Sequence, residues 1–112
     1  MRLITACTVT LALSALLVIS ASAPASAADD VARGRAMALR MCATCHMNAG
    51  QGEKQGPMGV PSFEAIANRP GQTVNHLVSW LRSKPTMMPD HHLSLDEASE
   101  IAAFVMTLRR QK

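Results

Sequence analysis

Cys42-Ala43-Thr44-Cys45-His46 is the stretch of this chain that decides its fold. Two thiols stand three residues apart, and an imidazole follows the second thiol directly. This spacing is typical of covalent c-type haem attachment, in which each cysteine forms a thioether with a vinyl group of the porphyrin. The adjacent histidine then binds the iron from one side. The motif therefore predicts one covalently bound haem c, with Cys42 and Cys45 as the thioether residues and His46 as a ligand to iron.

Two other kinds of site share the Cys-x-x-Cys spacing, a redox-active dithiol and half of a zinc site. A zinc site requires further cysteine or histidine ligands at suitable spacing, and the remaining cysteine, Cys7, lies in a segment that we expect to be removed. A thioredoxin-like domain alternates strands with helices, and the sequence contains no strand-like run. A structural or maturation protein that uses the motif only as a dithiol is therefore the weaker interpretation.

Residues 1–27 have the features of a secretory signal peptide. Arg2 gives the positive start, residues 11–19 form an apolar stretch, and Ala25-Ser26-Ala27 is a small-residue cleavage site. We expect cleavage after Ala27 and a bacterial periplasmic location without stable membrane insertion. One alternative is an uncleaved membrane anchor, because the uncharged run over residues 3–28 is long enough to span a bilayer. Lipidation at Cys7 is a weaker alternative.

Removal of 27 of the 112 residues leaves 85, which is enough for one domain over residues 28–112. A chain of this size buries a limited apolar core, and a covalently held porphyrin would complete it. The loss of Arg2 lowers the net charge from +3 to +2. Since there is neither a basic block nor an aromatic stacking platform, nucleic acid is not expected as a partner.

Helical periodicity and capping signals predict short helices and no strands in the mature chain. The signals for the helix starts are, in order, Asp29 with Asp30, the segment Pro61-Ser62-Phe63, Thr73, and the capping box of Ser94 with Glu97. The first helix is expected to deliver Cys42 to the edge of the haem. A loop rich in glycine follows over residues 47–59, and Lys84-Pro85 is expected to end the third helix.

The opposite face of the iron needs a second ligand, and Met88 is the best candidate. It lies in an irregular stretch between Pro85 and Pro89, where a loop can bring its thioether to the metal. The other candidates far enough along the chain are Met87, His76, His91 and His92. His76 lies inside the predicted third helix, whereas Met87 and the two loop histidines remain open as alternatives.

These features together resemble the small class I cytochromes c over nearly all of residues 28–112. The resemblance implies an all-α cytochrome c fold, in which three to four short helices wrap around one covalently bound haem and the N- and C-terminal helices cross. Gly34 stands at the small position of that crossing, and Phe104 stands at its aromatic position. Ala38 stands where the family often has another aromatic residue.

The resemblance also implies further contacts to the haem. Pro61 corresponds to the proline whose carbonyl accepts a hydrogen bond from the proximal histidine, and Pro57 is the alternative for this role. Trp80 stands where the family often carries an aromatic side chain packed against the methionine side of the haem. Met88-Pro89 resembles the family's ligand loop.

A haem iron with both axial positions occupied has no free position for a substrate. The expected function is therefore single-electron transfer in the periplasm and not catalysis. The expected partners are redox proteins, with a dehydrogenase as donor and an oxidase or another cytochrome as acceptor, and the chain itself is expected to be a monomer. Lys54, Arg82 and Lys84 are candidates for a surface that favours an acidic partner. The alternatives are a cytochrome subunit of a larger oxidoreductase complex, and a haem peroxidase or ligand sensor with a labile sixth ligand.

Overall fold

The computed structural model describes residues 24–46, residue 52 and residues 54–111. Within these ranges the chain forms four helices and no strand: α1 (Ala27–Met41), α2 (Phe63–Ala67), α3 (Val74–Arg82) and α4 (Leu95–Thr107), with one 3₁₀ turn at Pro57–Gly59. The prediction of an all-α chain is confirmed. None of the helices in this part of the chain has the length and apolar character needed to cross a membrane. Most of the predicted signal peptide, with Cys7, lies outside the described residues.

The helices begin at side chains that satisfy their free backbone N–H groups. Thr73 caps α3, and Ser94 forms a capping box with Glu97 at the start of α4, as the sequence predicts. Ser62 caps α2. The third helix ends at Arg82, and its C-cap Ser83 stands immediately before Lys84-Pro85. Helices this short are marginal in isolation, so these caps help to fix where each one starts.

Helix α1 begins earlier than its acidic residues predicted. Ser26 is its N-cap, and the serine hydroxyl accepts a hydrogen bond from the backbone N–H of Asp29. The Asp29 carboxylate in turn accepts from the Ser26 backbone N–H at 3.2 Å. The predicted cleavage after Ala27 therefore falls in the first turn of α1 and would remove its cap.

Helix α4 packs against each of the other three helices, and its crossing with α1 is the closest approach. A Cβ atom added at Gly34 would lie 1.8 Å from the carbonyl oxygen of Glu100, so only glycine permits this contact. Ala38 and Phe104 are buried at 0% and 2% exposure. Arg33 of α1 adds an ion pair to α4, with its Nε 2.6 Å from Oε1 of Glu100. The helix crossing implied by the family resemblance is therefore present.

The apolar core joins α2, α3 and the crossing of α1 with α4. The ring of Phe63 meets the edge of Phe104, with the centroids 5.9 Å apart and the planes at 74°. The buried cluster consists of Ala38, Phe63, Ala67, Leu77, Ile101, Ala102, Phe104 and Val105. Much of this cluster is alanine, which buries little apolar area per residue. Cys42 packs against its edge, so the cysteine motif begins where the core ends.

Candidate functional site

The cysteine motif continues directly from the last turn of α1. The backbone N–H of Cys42 donates to the carbonyl of Ala38 at 2.9 Å, and the N–H groups of Cys45 and His46 both donate to the carbonyl of Cys42, at 3.2 and 2.8 Å. The two cysteines are not joined by a disulfide, and Cys42 is half-buried whereas Cys45 is exposed. One short hydrogen-bonded segment therefore presents the two thiols and the imidazole.

The ring of His46 is held by two contacts, one from the segment before α2 and one from the first residue of α2. Its Nδ1 lies 2.7 Å from the carbonyl oxygen of Pro61, and its face stacks on Phe63 with the centroids 5.9 Å apart. A carbonyl oxygen only accepts hydrogen bonds, so a neutral His46 carries its proton on Nδ1 and keeps the Nε2 lone pair available for a metal. The structure thus places Pro61 where the family resemblance implies.

Ser62 supports this arrangement, and the sequence reasoning did not assign it a role. Its side chain is 1% exposed. The hydroxyl donates to the carbonyl of Gly52 at 2.7 Å and accepts from the N–H of Ala65 at 3.0 Å. These bonds fix the residue that follows Pro61 and thereby the carbonyl that meets His46. The available signal was its position, since serine directly before a short helix is typical of an N-cap.

A shallow pocket lies between the cysteine motif and the segment that joins α3 to α4. Its lining consists of Cys42, Leu81, Lys84, Pro85, Met88, Pro89, Asp90, His91 and Leu93. The pocket brings Cys42 and Met88 together, although α2 and α3 separate them in the sequence. Two thiols at attachment spacing, an imidazole with a free nitrogen and a thioether are the groups that hold a c-type haem. Of these residues, Cys42 and Met88 line the pocket, and much of the lining is apolar. The residues present therefore fit a covalently bound haem.

The two neighbouring methionines differ sharply in their surroundings. Met88 is partly buried and lines the pocket, and its backbone N–H donates to the carbonyl of Pro85 at 3.0 Å. Met87 is 91% exposed and is not part of the lining. This difference in surroundings agrees with the preference for Met88 over Met87 that the sequence suggested.

The three candidate histidines lie in different surroundings. His76 is in the first turn of α3, where its Nδ1 lies 2.6 Å from Oε1 of the buried Gln72. His92 is exposed, with its Nδ1 3.4 Å from Oδ2 of Asp90. Neither residue lines the pocket of Cys42, whereas His91 does with an exposed side chain.

Trp80 lies outside the pocket. Its side chain is 51% exposed, and the adjacent Leu81 contributes to the lining instead. The place that the family resemblance implies for Trp80, on the methionine side of the haem, stays a prediction.

An ion pair bridges the segment that carries Met88. The Nζ atom of Lys84 lies 2.8 Å from Oδ2 of Asp90, and the other carboxylate oxygen accepts the backbone N–H of His92 at 2.9 Å. The hydrogen bond from Lys84 is the main cause that lowers the pKa of Asp90, and the His92 bond acts in the same direction. Lys84 is thus engaged within its own segment, although its sequence context suggested a docking cation.

The environment of Cys42 argues against a redox-active dithiol. Burial raises the pKa of the Cys42 thiol. Reactive cysteines in Cys-x-x-Cys enzymes have a lowered pKa, because the thiolate is the attacking species. The local electrostatics therefore do not favour thiol–disulfide exchange.

The chain is similar to the cytochrome c-552 of Bradyrhizobium diazoefficiens, with 35% identity over 94 residues. The matched region covers 84% of this chain and 89% of the relative. No protein-family model and no solved structure matches the chain. A likeness of this extent reaches far beyond the five residues of the motif. The chain therefore belongs to the class I c-type cytochromes, carries a covalently bound haem c and acts as an electron carrier, not as an enzyme.

Proposed function

We propose that this cytochrome is a single-electron carrier of the bacterial periplasm, with a six-coordinate haem ligated by His46 and Met88. The haem supplies the redox chemistry when bound. The observation that carries the proposal is the pocket shared by Cys42 and Met88. His46 belongs to the same motif as Cys42 and keeps its Nε2 available, so the chain offers one ligand for each axial position.

The contribution of His46 is a nitrogen ligand in a fixed orientation. The 2.7 Å hydrogen bond to Pro61 sets the tautomer and raises the basicity of the ring, and Phe63 limits its rotation. A ligand held from two sides needs little rearrangement when the charge of the site changes. This rigidity favours fast electron transfer over ligand exchange.

The contribution of Met88 is a soft thioether. Such a ligand favours the reduced form of a haem and raises its potential relative to a second histidine. The apolar residues Leu81, Pro85 and Leu93 line the same pocket. Apolar surroundings of a haem act in the same direction. With His46 and Met88 bound, no position remains for a substrate.

The test of this ligation compares two adjacent methionines. Protein produced with a haem-attachment system is expected to show covalent haem, a low-spin ferric spectrum and the weak near-infrared band of a methionine ligand. Met88→Ala should abolish this band, and Met87→Ala should retain it because Met87 is 91% exposed. A band that survives in Met88→Ala, or a high-spin wild type, would overturn the assignment of Met88.

The proposed periplasmic location rests on the signal features of residues 1–27 and on the completion of bacterial haem attachment outside the cytoplasm. Deletion of residues 1–27 should therefore prevent covalent haem attachment. Fractionation of cells should place the full-length product with soluble periplasmic proteins, whereas retention in salt-washed membranes would favour the anchor alternative.

The partners that we propose are a dehydrogenase as donor and an oxidase or another cytochrome as acceptor. We further propose that the carrier is a monomer, which its elution volume in gel filtration tests.

A further inference from the structure

The carboxylate of Asp90 contacts residues at both ends of the segment that contains Met88. Oδ2 of Asp90 lies 2.8 Å from Nζ of Lys84, which precedes Met88 in the sequence. Oδ1 of the same residue accepts the backbone N–H of His92, which follows Met88, at 2.9 Å. Asp90 thus connects the entrance of this segment to its exit.

The backbone turns sharply at both of these contacts. Lys84 and His92 each have a φ of 52°, in the left-handed region that side chains other than glycine rarely adopt. Such conformations cost free energy and persist where surrounding contacts hold them. Asp90 accepts the backbone N–H at His92 and pairs with the side-chain ammonium of Lys84, so the carboxylate links the two turns that bound the segment.

Met88 lies inside the closed segment. Its N–H donates to the carbonyl of Pro85 at 3.0 Å, and its side chain lines the pocket that it shares with Cys42. Opening of the segment would withdraw Met88 from this pocket. Any contact that resists opening therefore favours the position of the thioether.

We propose that Lys84 and Asp90 form a clasp that keeps the Met88 segment closed and so positions the Met88 thioether against the iron. This inference rests on the proposed ligation by Met88. Lys84 and Asp90 are positioning residues, since they act through the segment that carries the ligand. The Lys84 side chain is 63% exposed. An ion pair with this exposure contributes modestly, so the clasp biases the segment towards closure without locking it.

The first test uses cyanide as a probe of opening, because cyanide binds ferric iron only after Met88 has left it. Asp90→Asn keeps an oxygen for the His92 N–H but ends the ion pair. In the haem-loaded full chain, cyanide binding is expected to become about two- to fivefold faster, the range that an exposed ion pair supports. Lys84→Gln should give a similar increase. The two substitutions change the net charge in opposite directions, so a shared increase does not come from attraction of the probe.

The double variant and a distant ion pair complete the test. The double variant, with Asp90→Asn and Lys84→Gln, should bind cyanide no faster than either single variant, because both substitutions remove the same interaction. Arg33→Gln is the matched control, since it breaks the 2.6 Å pair with Glu100 at the crossing of α1 and α4. It should lower the midpoint of global unfolding and leave cyanide binding unchanged.

A second measurement follows the segment without any added ligand. Hydrogen exchange of the Met88 amide should accelerate in Asp90→Asn by about the same two- to fivefold factor as cyanide binding. If the near-infrared band is present and Asp90→Asn changes neither the rate of cyanide binding nor the rate of Met88 amide exchange, the proposed clasp is wrong and ligation by Met88 stands. If wild-type protein lacks the band, ligation by Met88 is wrong and the role of the clasp falls with it. Additive effects of Asp90→Asn and Lys84→Gln on the rate of cyanide binding would also contradict the proposed clasp.

Discussion

The Nδ1 atom of His46 lies 2.7 Å from the carbonyl oxygen of Pro61, and the imidazole face stacks on Phe63. Pro61 and Phe63, which flank the N-cap of α2, therefore control the tautomer and the rotation of the proposed proximal ligand. Ser62 lies between these two contacts and is fixed by bonds to Gly52 and Ala65. The orientation of the imidazole thus depends on a buried hydroxyl that does not contact it.

Ser62→Ala is expected to affect both stability and redox potential. Ala65 loses the cap of its N–H and Gly52 loses a donor, which should lower the free energy of unfolding by about 1–2 kcal/mol. A looser Pro61 carbonyl should weaken its bond to His46, reduce the basicity of the ring and raise the potential. Guanidinium unfolding and a spectroscopic redox titration measure the two effects.

A cap far from His46 gives the control for Ser62. Thr73 caps α3 by accepting the N–H of His76 at 3.1 Å. Thr73→Ala should cost about 1 kcal/mol of stability and leave the potential unchanged. Equal potentials in the two variants would show that Ser62 supports the fold and not the ligand.

Gly34→Ala should strongly destabilise the protein although the same change usually favours a helix. In an exposed helix interior, alanine is better than glycine by about 1 kcal/mol. Here the new Cβ would lie 1.8 Å from the carbonyl oxygen of Glu100 and 2.9 Å from the backbone nitrogen of Ile101. Since backbone atoms cannot rotate away, the two helices must separate, at a cost of about 3 kcal/mol in the free energy of unfolding.

The matched change for Gly34 is Ala36→Gly, at an exposed position of the same helix. It should cost only the propensity difference of about 1 kcal/mol. Chemical denaturation of the haem-loaded variants measures both values. A Gly34→Ala protein as stable as wild type would contradict the close crossing of α1 and α4.

Because of the capping box of α4, we expect part of the protein's stability to be lost at acidic pH. The Glu97 carboxylate accepts the backbone N–H of Ser94 at 2.9 Å, and this bond is the main cause that lowers the pKa of Glu97 from 4.5. A carboxylate with a lowered folded-state pKa stabilises the fold above its ordinary pKa. This contribution is lost as the pH falls through the folded-state value.

Wild-type protein should therefore lose more stability than Glu97→Gln between about pH 6 and about pH 3. Glutamine keeps an oxygen for the Ser94 N–H but does not titrate in this range. Asp96→Asn changes the same charge in the same turn and is the control. Parallel curves of unfolding midpoint against pH for wild type and Glu97→Gln would contradict the role of Glu97.

Features that depend on one turn of chain could be predicted from the sequence. The caps at Thr73 and Ser94 and the compact cysteine motif are of this kind, because each is decided by residues within four positions of one another. The helix crossing at Gly34 and the contact between His46 and Pro61 join distant parts of the chain. They were accessible only through resemblance to a family.

Features that depend on side-chain direction were not accessible from the sequence. The hydroxyl of Ser62 reaches Gly52, and Lys84 turns back to Asp90, because of tertiary placement that periodicity does not encode. The sequence favoured Met88 over Met87 but did not show how differently the two side chains are placed. Adjacent residues in an irregular segment point in different directions, and only the structure shows which one lines the pocket.

The capping box of Ser26 and Asp29 gives signal cleavage a measurable consequence. Cleavage after Ala27 would remove the cap, and the new ammonium group at Ala28 would lie at the positive end of the α1 dipole. A haem-loaded chain that starts at Ala28 should therefore be about 1 kcal/mol less stable than one that starts at Ala25. Asp29→Ala should destabilise the longer chain more than the shorter one, because the bond between Asp29 and Ser26 exists only there. Guanidinium unfolding of both chains tests this, and equal stabilities would show that the Ser26 cap adds nothing to the stability of the folded protein.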